Sequence, residues 1–287
     1  MKTVLITGIN GFLGSRLAIR LQAHYNVIGL GSGNKNLNRL PANRFKVYSA
    51  TEPLEPIFTE NEVYAVIHAA TVYRRNDEPI EKLIRTNVLL PVELYDLSNK
   101  YNTKLFLNTD SFFNNPQFDY KYLVDYTLSK KHSIEWLKIM QQDKCHLINM
   151  KVFHMYGKND GPGKFIPKLL SDIRSNMPVV NLTPGEQKRD FIYVEDAVSA
   201  YEIVLEQADS LASGFLEFHL GMGFSISIKD LALTMAEVTQ STSNLNFGAF
   251  DYRENEIMDS VADNKSLINL GWNPAFDLKA GLTELLQ

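Results

Sequence analysis

One cysteine stands among the 287 residues, so the chain can form no internal disulfide and no cysteine-held zinc or iron–sulfur centre. No apolar run approaches the roughly 18–20 residues that span a bilayer. The net charge is −4, and a slightly acidic total argues against nucleic acid or an anionic membrane as the main partner. The histidines show no metal-ligand spacing with carboxylates, and no metal site is expected. There is no internal repeat, low-complexity tract or coiled-coil heptad. Met1–Ile6 begins like a secretory leader, but Gly8, Asn10, Gly11 and Gly14 interrupt it and no small-residue cleavage site follows. A cytoplasmic location is therefore expected. What remains is an ordinary globule, 45% hydrophobic and 22% charged, with room for two lobes at about 150 residues per domain.

Apolar runs and amphipathic stretches alternate through the first half. Thr3–Thr7, Val27–Leu30, Phe45–Tyr48, Ala65–His68 and Lys104–Asn108 read as strands. Gly14–Ala23, Pro79–Tyr101 and Tyr126–Gln142 read as helices between or after them. Cys145–Phe153 and Phe215–Leu220 can extend the sheet. Strand and helix in this alternation predict an α/β chain with a doubly wound parallel sheet of the Rossmann type. Beyond residue 150, proline and glycine enrich the loops and the alternation fades. The expected division is a dinucleotide-binding domain over 1–152, with late segments such as 189–220 returning to it. A smaller C-terminal lobe over 153–287 is expected to bind substrate.

Thr7-Gly8-Ile9-Asn10-Gly11-Phe12-Leu13-Gly14 follows the first strand and opens the first helix. Three glycines so spaced arise by chance about 0.05 times in a chain with this glycine content. A tight turn here lets backbone N–H groups approach a pyrophosphate, and the helix N-terminus adds partial positive charge. Gly8, Asn10, Gly11, Phe12, Leu13 and Gly14 are thus candidate cofactor contacts. NAD-preferring sites of this shape carry an Asp or Glu about 20 residues on, at the end of the second strand. Gly31 stands there instead, and Gly31–Lys46 holds Lys35, Arg39, Arg44 and Lys46 but no acid. A carboxylate would repel a 2′-phosphate; its absence beside a basic stretch favours NADP, with Ser32, Asn34 and Lys35 as contacts.

Tyr126-Thr127-Leu128-Ser129-Lys130 sets a phenol and an ammonium four residues apart on one helix face. A phenol with pKa near 10 exchanges protons poorly at neutral pH unless a nearby cation lowers that value, which Lys130 is placed to do. Thr109, in Asn108-Thr109-Asp110-Ser111-Phe112-Phe113, ends the preceding strand.

The Gly-x-x-Gly-x-x-Gly spacing, with Thr7 before it and Phe12-Leu13 inside it, resembles the extended short-chain dehydrogenase/reductases. Many of these act on nucleotide-activated sugars. The resemblance covers nearly the whole chain. It implies catalysis by Thr109, Tyr126 and Lys130, with Lys130 also holding the nicotinamide ribose. It further implies cofactor contacts at Ala69, Ala70 and Asn87, and a structural His68. Sugar-nucleotide 4,6-dehydratases of the family run Thr-Asp-Glu, whereas here Ser111 follows Asp110, so the base for eliminating water is missing. The sequence looks instead like the Thr-Asp-Tyr-Val-Phe of 4-keto-6-deoxysugar reductases, with Asp110 and Ser111 on the substrate side.

Lys188-Arg189-Asp190-Phe191-Ile192-Tyr193-Val194-Glu195-Asp196 is similar to the family's Arg-Asp-Phe-Ile-Tyr-Val-x-Asp segment. By that resemblance Arg189 binds the substrate diphosphate, and Arg253 forms a second clamp; a guanidinium fork suits phosphate oxygens. Phe165 is expected against the nucleotide base. His154 replaces the usual Asn of Phe-Asn-x-Tyr-Gly, which leaves the contact made there open. The strand Val27–Leu30 without an acid after it, His154 before Tyr156-Gly157, and Gln187-Lys188-Arg189 resemble the 4-ketoreductases of the CDP-paratose and CDP-abequose synthase type. The implied reaction is NADPH reduction of the C4 keto group of a CDP-4-keto-3,6-dideoxyglucose-like sugar in deoxysugar or O-antigen-type lipopolysaccharide biosynthesis. The alternatives are a sugar-nucleotide 4-epimerase and a silent NADP-binding sensor or scaffold. Helices 79–101 and 126–142 correspond in relatives to a homodimer interface.

Overall fold

The computed structural model describes residues 1–33, 37–74, 78–118, 122–142 and 144–287. Thr3–Thr7 (β1) is buried at every position, as a strand covered on both faces must be. The chain continues through α1 (Phe12–Leu21), β2 (Asn26–Gly31), β3 (Lys46–Ser49), α2 (Glu55–Thr59), β4 (Val63–His68), α3 (Ile80–Ile84), α4 (Leu90–Lys100), β5 (Leu105–Ser111), α5 (Val124–Ile139) and β6 (His146–Val152). After these come β7 (His154–Tyr156), α6 (Phe165–Arg174), β8 (Val179–Leu182), β9 (Lys188–Arg189), β10 (Phe191–Tyr193), α7 (Val194–Glu206) and β11 (Phe215–Leu220). The last elements are β12 (Ile226–Ser227), α8 (Ile228–Thr239), β13 (Asn244–Phe247), α9 (Lys265–Asn269) and α10 (Leu278–Glu284).

Seven strands form one parallel sheet in the order β11-β6-β5-β4-β1-β2-β3, the doubly wound arrangement expected from the alternation. Its register decides where the chemistry can sit. Thr7 pairs with Leu30 and with His68, and His68 pairs with Asn108. The glycine turn, the segment after β2, Ala69–Ala70 and Thr109 therefore all leave the sheet at the same carboxyl edge, beside the reversal of strand order at β1. Open α/β sheets bind ligands there.

The expected single helix over 79–101 is instead α3, a π-helical turn at Arg85–Leu89, and α4. Pro91 has no N–H to return to the Asn87 carbonyl, so the helical ladder widens at that point. Behind the sheet, Leu94 and Tyr95 of α4 and Ile134 and Leu137 of α5 join Phe106 and Leu147 in one core cluster. The lone Cys145 is buried in it, beneath a hydrogen bond from Tyr95 Oη to its carbonyl.

The chain divides into two compact units: residues 1–115, 122–151 and 200–218 in the first, and 116–121, 152–199 and 219–287 in the second. The segment returning to the first unit is thus 200–218. Short pairs, β7 with β10, β8 with β13 and β9 with β12, make up the sheet structure of the second. Such small sheets bury little, and two carboxylates tie its segments together. Asp190 is fully buried and accepts the N–H groups of Met222 (2.6 Å), Gly223 (2.9 Å) and Ala262 (3.0 Å). Asp196 accepts those of Ala275 (2.7 Å) and Phe276 (3.0 Å).

Replacing Asp190 with Ala would leave three N–H groups without their acceptor. The expected loss of unfolding free energy is about 3 kcal/mol or more. Urea unfolding would read it, and a loss under about 1 kcal/mol would show that the carboxylate is dispensable.

Candidate active site

Gly8 has φ +63°, and a Cβ there would lie 2.8 Å from the Ala70 Cα. A Cβ on Gly11 would meet the Gly8 carbonyl at 2.9 Å, and one on Gly14 would meet it at 2.2 Å. Only glycine lets α1 seat this closely on the turn, whose own N–H groups bond to Leu30 O from Gly8 (2.9 Å) and to Gly8 O from Gly11 (2.7 Å). The resulting cradle, with a helix N-terminus behind it, suits a dinucleotide pyrophosphate. Phe12 and Leu13 open α1, Leu13 turned inward and Phe12 beneath the Arg16 guanidinium. Thr7 Oγ1 accepts the Ala70 N–H (3.0 Å) and meets His68 Nδ1 (3.0 Å), so the Ala69–Ala70 turn is fixed to β1. Burial, helped by the Lys130 charge, holds His68 neutral.

At the end of β2, a Cβ on Gly31 would meet only Val47 Cγ1, at 3.6 Å, and Ser32 beside it is exposed. Asn34 and Lys35 lie outside the described residues. The basic stretch separates into distinct attachments. Lys46 pairs with Glu60 (2.9 Å) and Arg44 with Gln22 (2.8 Å), both away from the turn. Arg39 reaches back to the turn: its N–H donates to Asn10 Oδ1 (3.0 Å) and its Nη1 to Asn10 O (3.4 Å).

Tyr126 and Lys130 are both buried, at 4% and 2% exposure. Lys130 Nζ donates to the Thr109 carbonyl at 2.7 Å. Burial brings its pKa down to about 8, with the Asp110 carboxylate working against the fall. The expected lowering of the Tyr126 pKa by Lys130 is overturned. Burial pushes the phenol well above its ordinary value, and the stacked Tyr73 ring, 4.5 Å away between centroids, adds to the rise. The ammonium lies 6.0 Å from the Tyr126 ring centroid and directs its hydrogen bond to Thr109. What pulls the phenol back is a hydrogen bond with the Ser111 side chain.

The Thr109 hydroxyl meets Tyr201 Oη at 2.8 Å. Asp110 is turned inward, at 2% exposure. It accepts from Ser111 N (2.8 Å), Asn114 Nδ2 (3.0 Å) and Asn149 Nδ2 (3.0 Å). Asn87, in the π-helical turn, gives its amide to the loop and to α5. It accepts from Val72 N (2.8 Å) and donates to Val72 O (2.8 Å) and Ser129 Oγ (2.9 Å). Its amide thus connects the loop that carries Tyr73 to the helix that carries Tyr126.

In the second unit Arg189 is buried and donates to Lys188 O (2.7 Å), Ile257 O and Glu256. Arg253 lies just before Glu256, whose N–H donates to the Arg253 carbonyl (3.1 Å). Burial and the Arg189 guanidinium keep His154 neutral, and Phe165 is exposed at the start of α6. Tyr73, Tyr201 and Arg39 were missing from the candidate set read from sequence. Among the described residues no three His, Cys, Asp or Glu side chains gather to hold a metal, and no helix is long and apolar enough to cross a membrane.

The model of the NAD dependent epimerase/dehydratase family matches residues 4–217, and the chain belongs to that family. CDP-abequose synthase of Salmonella typhimurium is 35% identical over 291 residues, covering 99% of this chain and 97% of its own. The CDP-abequose synthase of Salmonella muenchen is 34% identical over 100% of this chain and 97% of its own. A solved UDP-glucose 4-epimerase from Thermotoga maritima, with UDP-glucose, superposes with a TM-score of 0.81 over 99% of this chain and 97% of its own. At 20% identity that likeness is one of fold.

A lysine buried with a depressed pKa burdens the folded state while it is protonated. That burden is full below pH 8, where both states are charged. It fades between about 8 and the unfolded value near 10.4. The stability of Lys130→Met relative to the wild type should therefore be greatest at pH 7 and shrink as the pH rises through that window. Parallel melts at pH 7 and pH 9.5 measure it, and a variant less stable at pH 7 than at pH 9.5, relative to wild type, would contradict the buried-charge account.

Proposed function

We propose that this chain uses NADPH to reduce the C4 keto group of a nucleotide-activated deoxysugar resembling CDP-4-keto-3,6-dideoxyglucose. The setting is cytoplasmic deoxysugar synthesis of the O-antigen type. The observation that carries the reading is the arrangement at the end of β5. A buried phenol is hydrogen-bonded to Ser111, a buried ammonium is fixed on the Thr109 carbonyl, and Asp110 is enclosed by Asn114 and Asn149. Elimination of water would need a carboxylate where Ser111 stands. The CDP-abequose synthases, similar over the whole chain, support a CDP-linked substrate.

NADPH, when bound, supplies the hydride to C4. Tyr126 gives its phenolic proton to the oxygen as negative charge builds there. Its raised pKa keeps that proton in place until it is needed. The Thr109 hydroxyl orients the same oxygen, the Ser111 side chain eases loss of the phenolic proton through its hydrogen bond, and Lys130 would hold the nicotinamide ribose. Arg189 and Arg253 serve the substrate diphosphate, with Arg189 exchanging its bond to Glu256 for phosphate oxygens. Two copies associate through α3–α4 and α5, whose Ile84, Leu89, Leu128 and Trp136 are exposed apolar side chains.

Purified protein with NADPH should oxidise the cofactor stoichiometrically when given CDP-4-keto-3,6-dideoxyglucose, and Tyr126→Phe should lower kcat at least a hundredfold, an order expected for loss of a general acid. An epimerase would interconvert sugar nucleotides without net NADPH loss, and a silent binding protein would show no turnover with any CDP-, dTDP-, UDP- or GDP-linked ketosugar.

Cofactor choice is tested separately. NADPH should be used at least about tenfold more efficiently than NADH, since a 2′-phosphate here meets no carboxylate and Arg39 is held at the turn by Asn10. Arg39→Leu should erase most of that ratio by weakening NADPH alone. Equal kcat/KM for the two cofactors in the wild type would defeat the assignment.

A further inference from the structure

Tyr201 lies on α7, fully buried, among Val198, Val204 and Leu205 of the same helix. A phenol in such surroundings needs an acceptor for its proton. Among the described residues its hydroxyl meets one side chain, Thr109 Oγ1, at 2.8 Å. Two assignments of the proton are open to the pair. If Thr109 donated, the phenolic proton would be left buried without an acceptor, a cost that native structures avoid. If Tyr201 donates, both groups are satisfied and the Thr109 proton is left to point elsewhere. Burial and the nearby Asp110 charge raise the phenol's pKa above its ordinary value, so this donor keeps its proton at neutral pH.

Thr109 is suited to pass the direction on. It is partly exposed while Tyr201 is not. Its backbone carbonyl is already taken by Lys130 Nζ, which fixes the residue from the other side. A β-branched side chain at a strand end has few χ1 states, and a hydrogen bond from behind selects one.

We propose that Tyr201 is a positioning residue, its hydroxyl donating to Thr109 Oγ1 so that the Thr109 proton is aimed at the oxygen being reduced. This rests on the ketoreductase reading above. The order of donors runs from Tyr201 to Thr109 to the substrate oxygen, and it is set before substrate arrives, which is where such preorganisation acts on rate.

Tyr201→Phe removes the hydroxyl and keeps the ring. The expected result is a kcat lower by about tenfold, the scale of one oriented hydrogen bond, with KM within about twofold and NADPH affinity unchanged. Thr109→Val should cost at least as much, and Tyr201→Phe added to Thr109→Val should cost nothing further, because the bond it serves is already gone. Losses that multiply in the double variant, or a full kcat in Tyr201→Phe, would overturn the proposal. So would a drop in Tm with kcat preserved. Crystal structures of wild type and Tyr201→Phe give a readout free of turnover: the Thr109 hydroxyl should leave its wild-type rotamer, and an unmoved Thr109 also overturns it. Failure of the wild type to oxidise NADPH with any ketosugar falls on the reduction reading, while the rotamer comparison still judges Tyr201.

Discussion

An ammonium buried at the carboxyl end of a parallel sheet is the constraint around which the first unit is arranged. Lys130 is 2% exposed, and a charge so placed must be hydrogen-bonded and balanced or give up its proton. The Thr109 carbonyl supplies the bond, and the Asp110 carboxylate supplies the balance. Asp110 then has to be satisfied in turn. Asn114 and Asn149 do so, and Asn149 leads on to Asn108 (2.8 Å) and to Glu217 (2.9 Å), which pairs with Lys151 (2.8 Å). Polar side chains on three neighbouring strands, out of place in a sheet covered on both faces, follow from one buried cation.

The same burial sets how the proton chemistry is shared. A phenol beside an ammonium is expected to ionise early, yet Tyr126 is held protonated because desolvation outweighs a cation whose hydrogen bond is directed elsewhere. It acts as a proton donor in the proposed reduction for that reason. Ser111 is the counterweight, since a hydroxyl bonded to the phenol oxygen eases the loss of the proton when negative charge appears on substrate.

The turn Gly8–Gly14, the strands themselves and the Tyr126–Lys130 pair were legible in the sequence because each is local, although β5 runs on to Ser111 rather than ending at Thr109. A strand feeding a glycine turn and a helix, or two side chains one helical turn apart, leaves its mark within a dozen residues. The helix over 79–101 was legible as helix, but its π-helical turn depends on what Pro91 cannot donate and on where Asn87 finds partners, 15 residues away at Val72 and 42 away at Ser129. Tyr201 and Thr109 are 92 residues apart, and nothing near either one signals the other. Arg39 stood in view inside a basic stretch, but only the fold distinguishes it from Arg44 and Lys46 by tying it to Asn10. The pKa direction of Tyr126 was the least legible of all. Composition gives the neighbours of a group but not how completely water is removed from it.

The end of β5 therefore carries several assignments at once, and the two-residue period of a strand explains how they coexist. Thr109 and Ser111 fall on one face and Asp110 on the other. On one face Thr109 is held by Tyr201 and Ser111 is bonded to Tyr126; on the other Asp110 balances the charge of Lys130. A carboxylate in place of Ser111 would set a second negative charge against the phenol, raise its pKa further, and leave two acids within reach of one lysine. The site would then be built for taking a proton from carbon. With a hydroxyl there, the only acid on the strand is enclosed by asparagines, and the group left with a proton to give is Tyr126. The proposed carbonyl reduction asks for one proton delivered to oxygen, and on that reading Tyr126 is the group at this strand end that delivers it.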